Sequence, residues 1–200
     1  GRVSVTDNKI TVELAHNETA VIDKLPVGTD YAITETDVPG YTLTWSVSKN
    51  GNGQITRTIS EEEVTNTFNS ATYTPVVEKM LNGVAFNGKL GDGTTGTSFK
   101  FTLIQINKDG TVVDDGYKQE NVETNGEGAI TFAEIKYNTA GTYYYMITEQ
   151  GVDTDTMDYD TDPVYLKVVV NEALTEATGD YYRVPWTETL NPNKAIFNNT

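Results

Sequence analysis

The sequence contains no cysteine and only one histidine, His16, in 200 residues. Without cysteine, disulfides, thiolate zinc sites, iron–sulfur clusters and cysteine nucleophiles are all excluded. A single histidine removes most histidine-based catalysis and metal chemistry. These absences argue against an enzyme with ordinary side-chain chemistry, and we expect neither a cofactor nor a metal site.

Basic residues are also scarce. Lys and Arg number 14 against 29 Asp and Glu, which gives a formal net charge of −15 at pH 7. A nucleic-acid-binding surface needs cations that replace the counterions around phosphate, and anionic lipid attracts the same cations. No apolar run approaches the ~20 residues that span a bilayer. We therefore expect no nucleic-acid partner and no insertion into a membrane.

The apolar residues that are present alternate with polar ones, which is the period of a β-strand. Hydrophobic residues make up 37% of the chain, enough for a packed core. No segment shows the pattern of an amphipathic helix of about 12 residues or more. The sequence thus predicts an all-β chain built of sandwiches. Alternation is clearest in residues 10–14, 41–47, 99–103, 130–132, 143–147 and 164–170, and residues 49–53 form a turn sequence.

A domain boundary is predicted near residues 69–75, between two strand-like segments. Domain 1 then covers residues 1–70 and domain 2 covers residues 71–200. Since a complete sandwich takes about 100 residues, the first domain is short. We expect it to be incomplete at its N-terminus.

Three polar residues occupy positions where strand alternation calls for apolar ones. Lys79, Glu149 and Asn199 each share a face with hydrophobic neighbours, as Asn199 does with Phe197. Alternation therefore turns all three side chains towards one core. An unpaired charge there would cost several kcal/mol, so we expect the group to be neutralised, paired or chemically consumed.

These three residue types can react with one another. Burial lowers the pKa of a lysine and raises that of a glutamate, which favours a neutral amine and a protonated acid. The amine of Lys79 is then a nucleophile towards the carboxamide of Asn199, and Glu149 serves as the proton shuttle. The product is an amide with loss of one ammonia, formed once per molecule. The alternative is a buried, satisfied polar cluster without a bond.

Domain 2 resembles the isopeptide-linked domain of backbone pilins of the streptococcal type, from Gram-positive bacteria. The motifs that carry the resemblance are Val77-Glu-Lys-Met-Leu-Asn-Gly83, Gly141-Thr-Tyr-Tyr-Tyr-Met-Ile-Thr-Glu149, Tyr159-Asp160 and Phe197-Asn-Asn-Thr200. The resemblance implies that Lys79 and Asn199 form the crosslink and that Glu149 is the catalytic acid.

Domain 1 resembles the companion domain of such pilins, an immunoglobulin-like sandwich close to the collagen-adhesin B type. The resemblance implies that Glu35 is the catalytic acid and Asn66 the acceptor. The donor lysine of the pattern is missing, because neither Lys9 nor Lys24 fits a first strand. We expect the donor to lie upstream of Gly1. The matching motifs are Leu25-Pro-Val-Gly-Thr29, Tyr31-Ala-Ile-Thr-Glu35, Pro39-Gly-Tyr41 and Val64-Thr-Asn66.

The resemblance implies a structural subunit, a pilin or pilin-like stalk, in a Gram-positive surface fibre. Such a subunit is extracellular, attached to the cell wall and joined covalently to other pilin subunits by sortase. Lys194 lies where a sortase-linked lysine is found in these pilins, although an exposed loop lysine is the simpler interpretation. The main alternative function is a cell-wall-anchored adhesin that binds a host surface protein, matrix protein or glycan. A hydrolase that uses two carboxylates is a weaker alternative.

One further acidic segment is open to two interpretations. Residues 153–162 carry five carboxylates, which are hard oxygen ligands suited to Ca²⁺. The segment lacks the glycine of an EF-hand loop, and we interpret it as a solvated acidic loop.

Overall fold

The structure is a computed structural model, which describes residues 2–46, 50–90, 93 and 98–200. These residues form strands, turns and bends and contain no helix, which confirms the all-β prediction. Accordingly, the described part of the chain holds no helix with the length and hydropathy of a membrane span.

Sixteen strands form in the described residues. They are β1 (Val3–Thr6), β2 (Lys9–Val12), β3 (Asp30–Ala32), β4 (Tyr41–Trp45), β5 (Asn52–Gln54), β6 (Val64–Phe68), β7 (Ala71–Tyr73), β8 (Val77–Leu81), β9 (Val84–Ala85), β10 (Lys100–Ile106), β11 (Lys118–Glu123), β12 (Ile135–Tyr137), β13 (Gly141–Gln150), β14 (Val164–Val170), β15 (Ala177–Tyr182) and β16 (Ala195–Asn199).

The chain divides into two compact units. Unit 1 consists of Gly1–Thr36 and Leu43–Asn66, and unit 2 consists of Asp37–Thr42 and Thr67–Thr200.

Unit 1 contains short two-stranded pairings. β1 pairs with β2 and β3 pairs with β5, both antiparallel. β4 pairs with β6, and only residues 43–45 and 64–66 of these two strands belong to unit 1. No hydrophobic side chain in the described residues of this unit is buried, and Val21 and Ile59 are 86% and 89% exposed. Two-stranded sheets enclose too little apolar area to be stable alone. The described part of unit 1 therefore has strands without a packed core.

The turn predicted at residues 49–53 lies partly outside the described residues, as do Val47 and Lys49. Asn50 and Gly51, which are described, have φ angles of 50° and 78°. Asparagine and glycine are the residues that tolerate this left-handed conformation, so their presence suits a tight reversal between β4 and β5.

Unit 2 is a β-sandwich. One layer is a five-stranded antiparallel sheet in the order β11-β10-β13-β14-β15. The opposite layer holds β16-β8-β9 and the pair β12-β7. Side chains from the two layers meet in one core, where the rings of Phe101 and Phe197 lie 5.3 Å apart and the Tyr145 hydroxyl donates to the Tyr137 hydroxyl. Alternate residues of β14 reach this core, namely Val164, Leu166, Val168 and Val170.

The second layer brings together the two ends of unit 2. β8 and β16 are neighbours and run parallel, with Phe197 opposite Lys79 and Asn199 opposite Leu81. Lys79 and Phe197 are 118 residues apart in the sequence. This register places Lys79 and Asn199 on adjacent strands and on the face that meets the core.

One segment with strand-like alternation forms no strand. Residues 130–132 are irregular, although Phe132 is buried as a strand residue would be. The side chain of Gln119 supplies the hydrogen bonds of a neighbouring strand, because it accepts from the Ala133 N–H and donates to the Ala133 carbonyl. The core position is thus filled from an irregular segment.

Candidate functional site

Three polar side chains meet in the interior of the unit 2 sandwich. Lys79 on β8, Glu149 on β13 and Asn199 on β16 are 2%, 5% and 0% exposed. Strand alternation accounts for each orientation, since their neighbours on the same face are buried or partly buried hydrophobic residues. The structure thus brings together the three residues that the sequence selected in this domain.

The carboxyl group of Glu149 connects the other two side chains. Its Oε2 accepts a hydrogen bond from Lys79 Nζ at 3.1 Å, and its Oε1 accepts from Asn199 Nδ2 at 3.0 Å. The side chains of Lys79 and Glu149 are completely shielded from solvent. One carboxyl group therefore contacts both the amine and the carboxamide nitrogen in a dry environment.

The remaining contacts of the Lys79 amine are few. Nζ also donates to the main-chain carbonyl of Phe197 at 3.2 Å and lies 4.8 Å from the centre of the Phe99 ring. An ammonium group buried between an aromatic ring and the hydrophobic core lacks its hydration shell. The surroundings consequently favour an amine that gives up its proton.

Burial shifts the two titrating groups of the site in opposite directions. Desolvation lowers the pKa of Lys79 from its ordinary value of 10.5, and the attraction of Glu149 opposes part of that change. Desolvation raises the pKa of Glu149 from 4.5, against the opposing effect of Lys79. Both shifts favour the neutral forms of the two groups, the free amine and the protonated acid.

The carboxamide of Asn199 is held in one orientation. Its Oδ1 accepts a hydrogen bond from the main-chain N–H of Asp160 at 2.9 Å. Because an N–H group only donates, the atom opposite it must be the oxygen, and Nδ2 must face Glu149. The Sδ atom of Met157 lies 3.8 Å from Nδ2 on the same side of the site.

Asp160 and Arg183 belong to the site but received no role from the sequence. The Asp160 carboxylate pairs with the Arg183 guanidinium through Oδ2–Nη2 at 2.8 Å and Oδ1–Nη1 at 3.3 Å, and it accepts from the Asn198 N–H at 3.0 Å. Its side chain is only 16% exposed. The interpretation of residues 153–162 as a solvated loop is therefore wrong at Asp160. The sequence does contain the Tyr159-Asp160 motif, but nothing in the sequence indicates which residue Asp160 contacts.

The acidic segment offers no evidence for calcium. Across the residues that the structure describes, no group of three or more acidic, histidine or cysteine side chains is arranged to hold a metal ion. Asp153, for its part, accepts the main-chain N–H of Tyr159 through Oδ1 at 2.7 Å. This contact holds the loop that carries Asp160.

In unit 1 the structure places Asn66 beside Glu35. Asn66 Nδ2 donates to Glu35 Oε1 at 2.6 Å. Glu35 Oε2 is shielded from solvent and has no hydrogen-bond partner among the described residues. Asn66 itself is exposed, and its strand neighbours Val64 and Phe68 are 37% and 49% exposed. The pair repeats the contact between Asn199 and Glu149, but among the described residues no amine contacts Glu35 Oε2, and Asn66 is exposed whereas Asn199 is buried.

Lys194 lies immediately before β16. Its Nζ forms an ion pair with Glu78 Oε2 at 2.7 Å, and both side chains are about 30% exposed. Glu78 and Lys79 are consecutive on β8, so their side chains point to opposite faces. Lys194 therefore belongs to the outer face of the layer that carries the buried triad.

A family model described as the Spy0128-like isopeptide containing domain, FctA, matches residues 75–200. The chain belongs to this family. The match confirms the resemblance to Gram-positive pilins. A second family model, a domain of unknown function (DUF7601), matches residues 1–68. No curated protein matches the chain.

Membership of the Spy0128-like family supports a pilin-like structural role and not an enzymatic one. The family also indicates polymerisation with other pilin subunits and a location at the cell surface or in a pilus. The residues matched include all three members of the buried triad.

Proposed function

We propose that this chain is a structural subunit of a surface fibre, stabilised by an intramolecular amide bond between Lys79 and Asn199. The observation that carries the proposal is the carboxyl group of Glu149, which contacts the amine and the carboxamide nitrogen with its two oxygens. A buried ion pair that undergoes no reaction stabilises a hydrophobic core poorly, because both charges lose their hydration. Amide formation between Lys79 and Asn199 removes the charge of the lysine and leaves Glu149 as a neutral acid, so no ion pair remains in the core.

The reaction balances within the triad. The neutral amine of Lys79 attacks Cγ of Asn199, and a bond forms between Nζ and Cγ. Glu149, initially protonated, donates its proton to Nδ2 through Oε1 and takes one from Nζ through Oε2. The Cγ–Nδ2 bond breaks and ammonia leaves. Glu149 ends the step protonated, as it began.

The bond would join the first and last strands of the family domain. β8 and β16 run parallel, so tension applied at residues 75 and 200 pulls them in opposite directions along their length. A Lys79–Asn199 amide carries that tension directly from β8 to β16. The intervening sandwich then bears little of the tension, and the hydrogen bonds between β8 and β16 need not resist the shear. This property suits a fibre that has no disulfides.

Intact-mass measurement of the folded 200-residue chain tests the bond. We expect a mass lower than that of the sequence by one ammonia, and the full mass in Lys79→Ala, Asn199→Ala and Glu149→Ala. Asn198→Ala is the matched control, because Asn198 precedes Asn199 but points to the opposite face, where its Oδ1 accepts the Gly83 N–H. It should keep the lower mass. The full mass in folded wild-type protein contradicts the proposal.

We also propose that Glu35 and Asn66 form a second acceptor site, which is completed by an amine from outside the described residues. Glu35 Oε2 has no hydrogen-bond partner among the described residues, which supports this proposal because the corresponding oxygen of Glu149 accepts from Lys79 Nζ. The exposed apolar side chains of unit 1 are consistent with a further strand that covers the pair. The expected donor is a lysine upstream of Gly1.

Peptide mapping of a chain extended upstream of Gly1 tests the second site. A branched peptide in which Asn66 is joined to an upstream lysine is expected, and Glu35→Ala should abolish it. Lys49, which lies in unit 1 outside the described residues, is the alternative donor and would give a branched peptide within residues 1–68. An unmodified Asn66 peptide from folded protein contradicts the site.

The wider context of the fibre rests on the pilin family. We propose that the subunit is exported, linked to its neighbours by sortase and attached to a Gram-positive cell wall. Lys194 is the candidate for the intermolecular link, and its ion pair with Glu78 leaves the amine partly exposed. Digestion of native fibres followed by mass spectrometry would show whether a branched peptide contains Lys194.

A further inference from the structure

The main-chain N–H of Asp160 points at the atom of Asn199 that gains negative charge during the proposed reaction. Attack of the amine on Cγ turns the carboxamide oxygen Oδ1 into an oxyanion in the tetrahedral intermediate. Oδ1 already accepts the Asp160 N–H at 2.9 Å. A fixed donor in a water-excluded site stabilises such charge far more than it would in water.

The side chain of Asp160 explains why that N–H is held in place. Its carboxylate receives two hydrogen bonds from Arg183 and one from the Asn198 N–H. The residue therefore contacts β16 at two consecutive positions, through its carboxylate at 198 and through its N–H at 199. Arg183 is anchored in turn by the carbonyls of Asp162 and Ile196.

We propose that the Asp160 N–H is the oxyanion donor for crosslink formation in unit 2, and that Arg183 is the residue that positions it. This inference rests on the proposed function. The loop that ends at Asp160 then has two tasks: it closes the site against water, and it fixes the carboxamide with Nδ2 towards Glu149. The carboxylate of Asp160 acts on the geometry of Asn199 and takes no part in proton transfer.

The experiment compares crosslinking rates in the full 200-residue chain. Each variant is made by cell-free synthesis, samples are quenched in acid, and loss of ammonia is followed by intact mass. Asp160→Ala removes the carboxylate but keeps the N–H, whereas Asp160→Pro removes both. Asp155→Asn is the matched control, since it removes the same charge from an exposed position of the same acidic segment.

Asp160→Pro is expected to react roughly 10²–10³-fold more slowly than wild type, the usual effect of deleting one oxyanion donor. Asp160→Ala should be slowed less, and Asp155→Asn should match wild type. The Asp160→Pro and Asp160→Ala variants carry the same charge. Their pH–rate profiles should therefore have the same apparent pKa values and differ only in the maximal rate. Equal crosslinking rates in the two variants would overturn the oxyanion role. So would a rate difference that arises from shifted apparent pKa values in the pH–rate profile.

Arg183 provides a second test, which can still be carried out if proline at position 160 prevents folding. Arg183→Gln should slow crosslinking, and Arg183→Lys should restore part of the rate, because one ammonium can still pair with one oxygen of Asp160. A wild-type rate in Arg183→Gln would overturn the positioning role. Failure of the proposed function is distinguishable, since wild-type protein would then retain its full mass.

Discussion

Glu149 is a carboxyl group in a hydrophobic core that contacts two polar side chains at once. Its two oxygens face two different nitrogens, and it lies in a sandwich whose neighbouring side chains are almost all apolar. Burial penalises its charge and that of Lys79 together, so a neutral pair becomes competitive with an ion pair. The neutral amine is the nucleophilic form of lysine, so burial favours the form that the proposed reaction requires.

The same shifts predict how the stability of the unlinked protein depends on pH. In Asn199→Ala, Lys79 and Glu149 remain but no bond forms. The lowered pKa of Lys79 means that the unfolded chain binds more protons than the folded one, so stability should rise with pH towards 10.5. The raised pKa of Glu149 means that the folded chain binds more protons than the unfolded one. Stability should therefore fall as pH rises from 4.5 through the raised pKa of the folded state.

Urea unfolding of Asn199→Ala at several pH values measures both slopes. The matched control is the triple variant Lys79→Met, Glu149→Gln and Asn199→Ala, which retains Asp160, Arg183 and every tyrosine but lacks the two titrations. The free energy of unfolding of Asn199→Ala minus that of the triple variant should pass through a minimum between acid and alkaline pH. Parallel curves would contradict the pKa directions.

At the scale of elements, the loop between β13 and β14 decides the shape of the site. Tyr159 packs against Phe99 with ring centres 6.0 Å apart and lies directly over Gly151. A Cβ atom at Gly151 would come within 2.0 Å of the Tyr159 ring. Glycine at 151 is therefore what allows the loop that carries Asp160 to lie close to β13.

Gly151→Ala should consequently displace Tyr159, destabilise the domain by about 1–3 kcal/mol as overpacking usually does, and slow crosslinking. Gly126→Ala is the matched control, because a Cβ atom there meets no atom within 4 Å. Urea midpoints and crosslinking rates of the two variants provide the comparison. Equal behaviour would show that the position of the loop does not depend on Gly151.

Several elements were predictable and others were not. Alternation within single strands predicted the buried faces of β8, β13 and β16, because side-chain direction in a strand depends only on local geometry. The position of Asp160 was missed, because a short irregular acidic segment has no period that reveals which side is buried. Phe132 shows the converse case, in which alternation occurs where no strand forms.

For the molecule as a whole, the proposed amide closes a loop of about 120 residues. By the chain-entropy relation used for disulfides, such a closure stabilises the folded state by about 5 kcal/mol. The linked domain should also unfold only partially under tension, since its first and last strands cannot separate. Resistance to proteolysis follows, because proteases act on opened chains.

We therefore expect the thermal midpoint of unit 2 to fall by roughly 10–20 °C in Asn199→Ala, and digestion to become correspondingly faster. The Asn198→Ala protein should stay close to wild type. Calorimetry and timed trypsin digestion measure the two effects. A midpoint in Asn199→Ala that equals that of wild type would mean that the bond contributes nothing to stability.

The sequence by itself determined the all-β class, the pilin family and the inward direction of Lys79, Glu149 and Asn199, because these depend on composition, motif order and the two-residue period of a strand. Only the tertiary structure decided that β8 and β16 lie side by side in parallel, and that Asp160 and Arg183 hold Asn199. Those facts depend on packing between segments up to 118 residues apart, which no local pattern encodes.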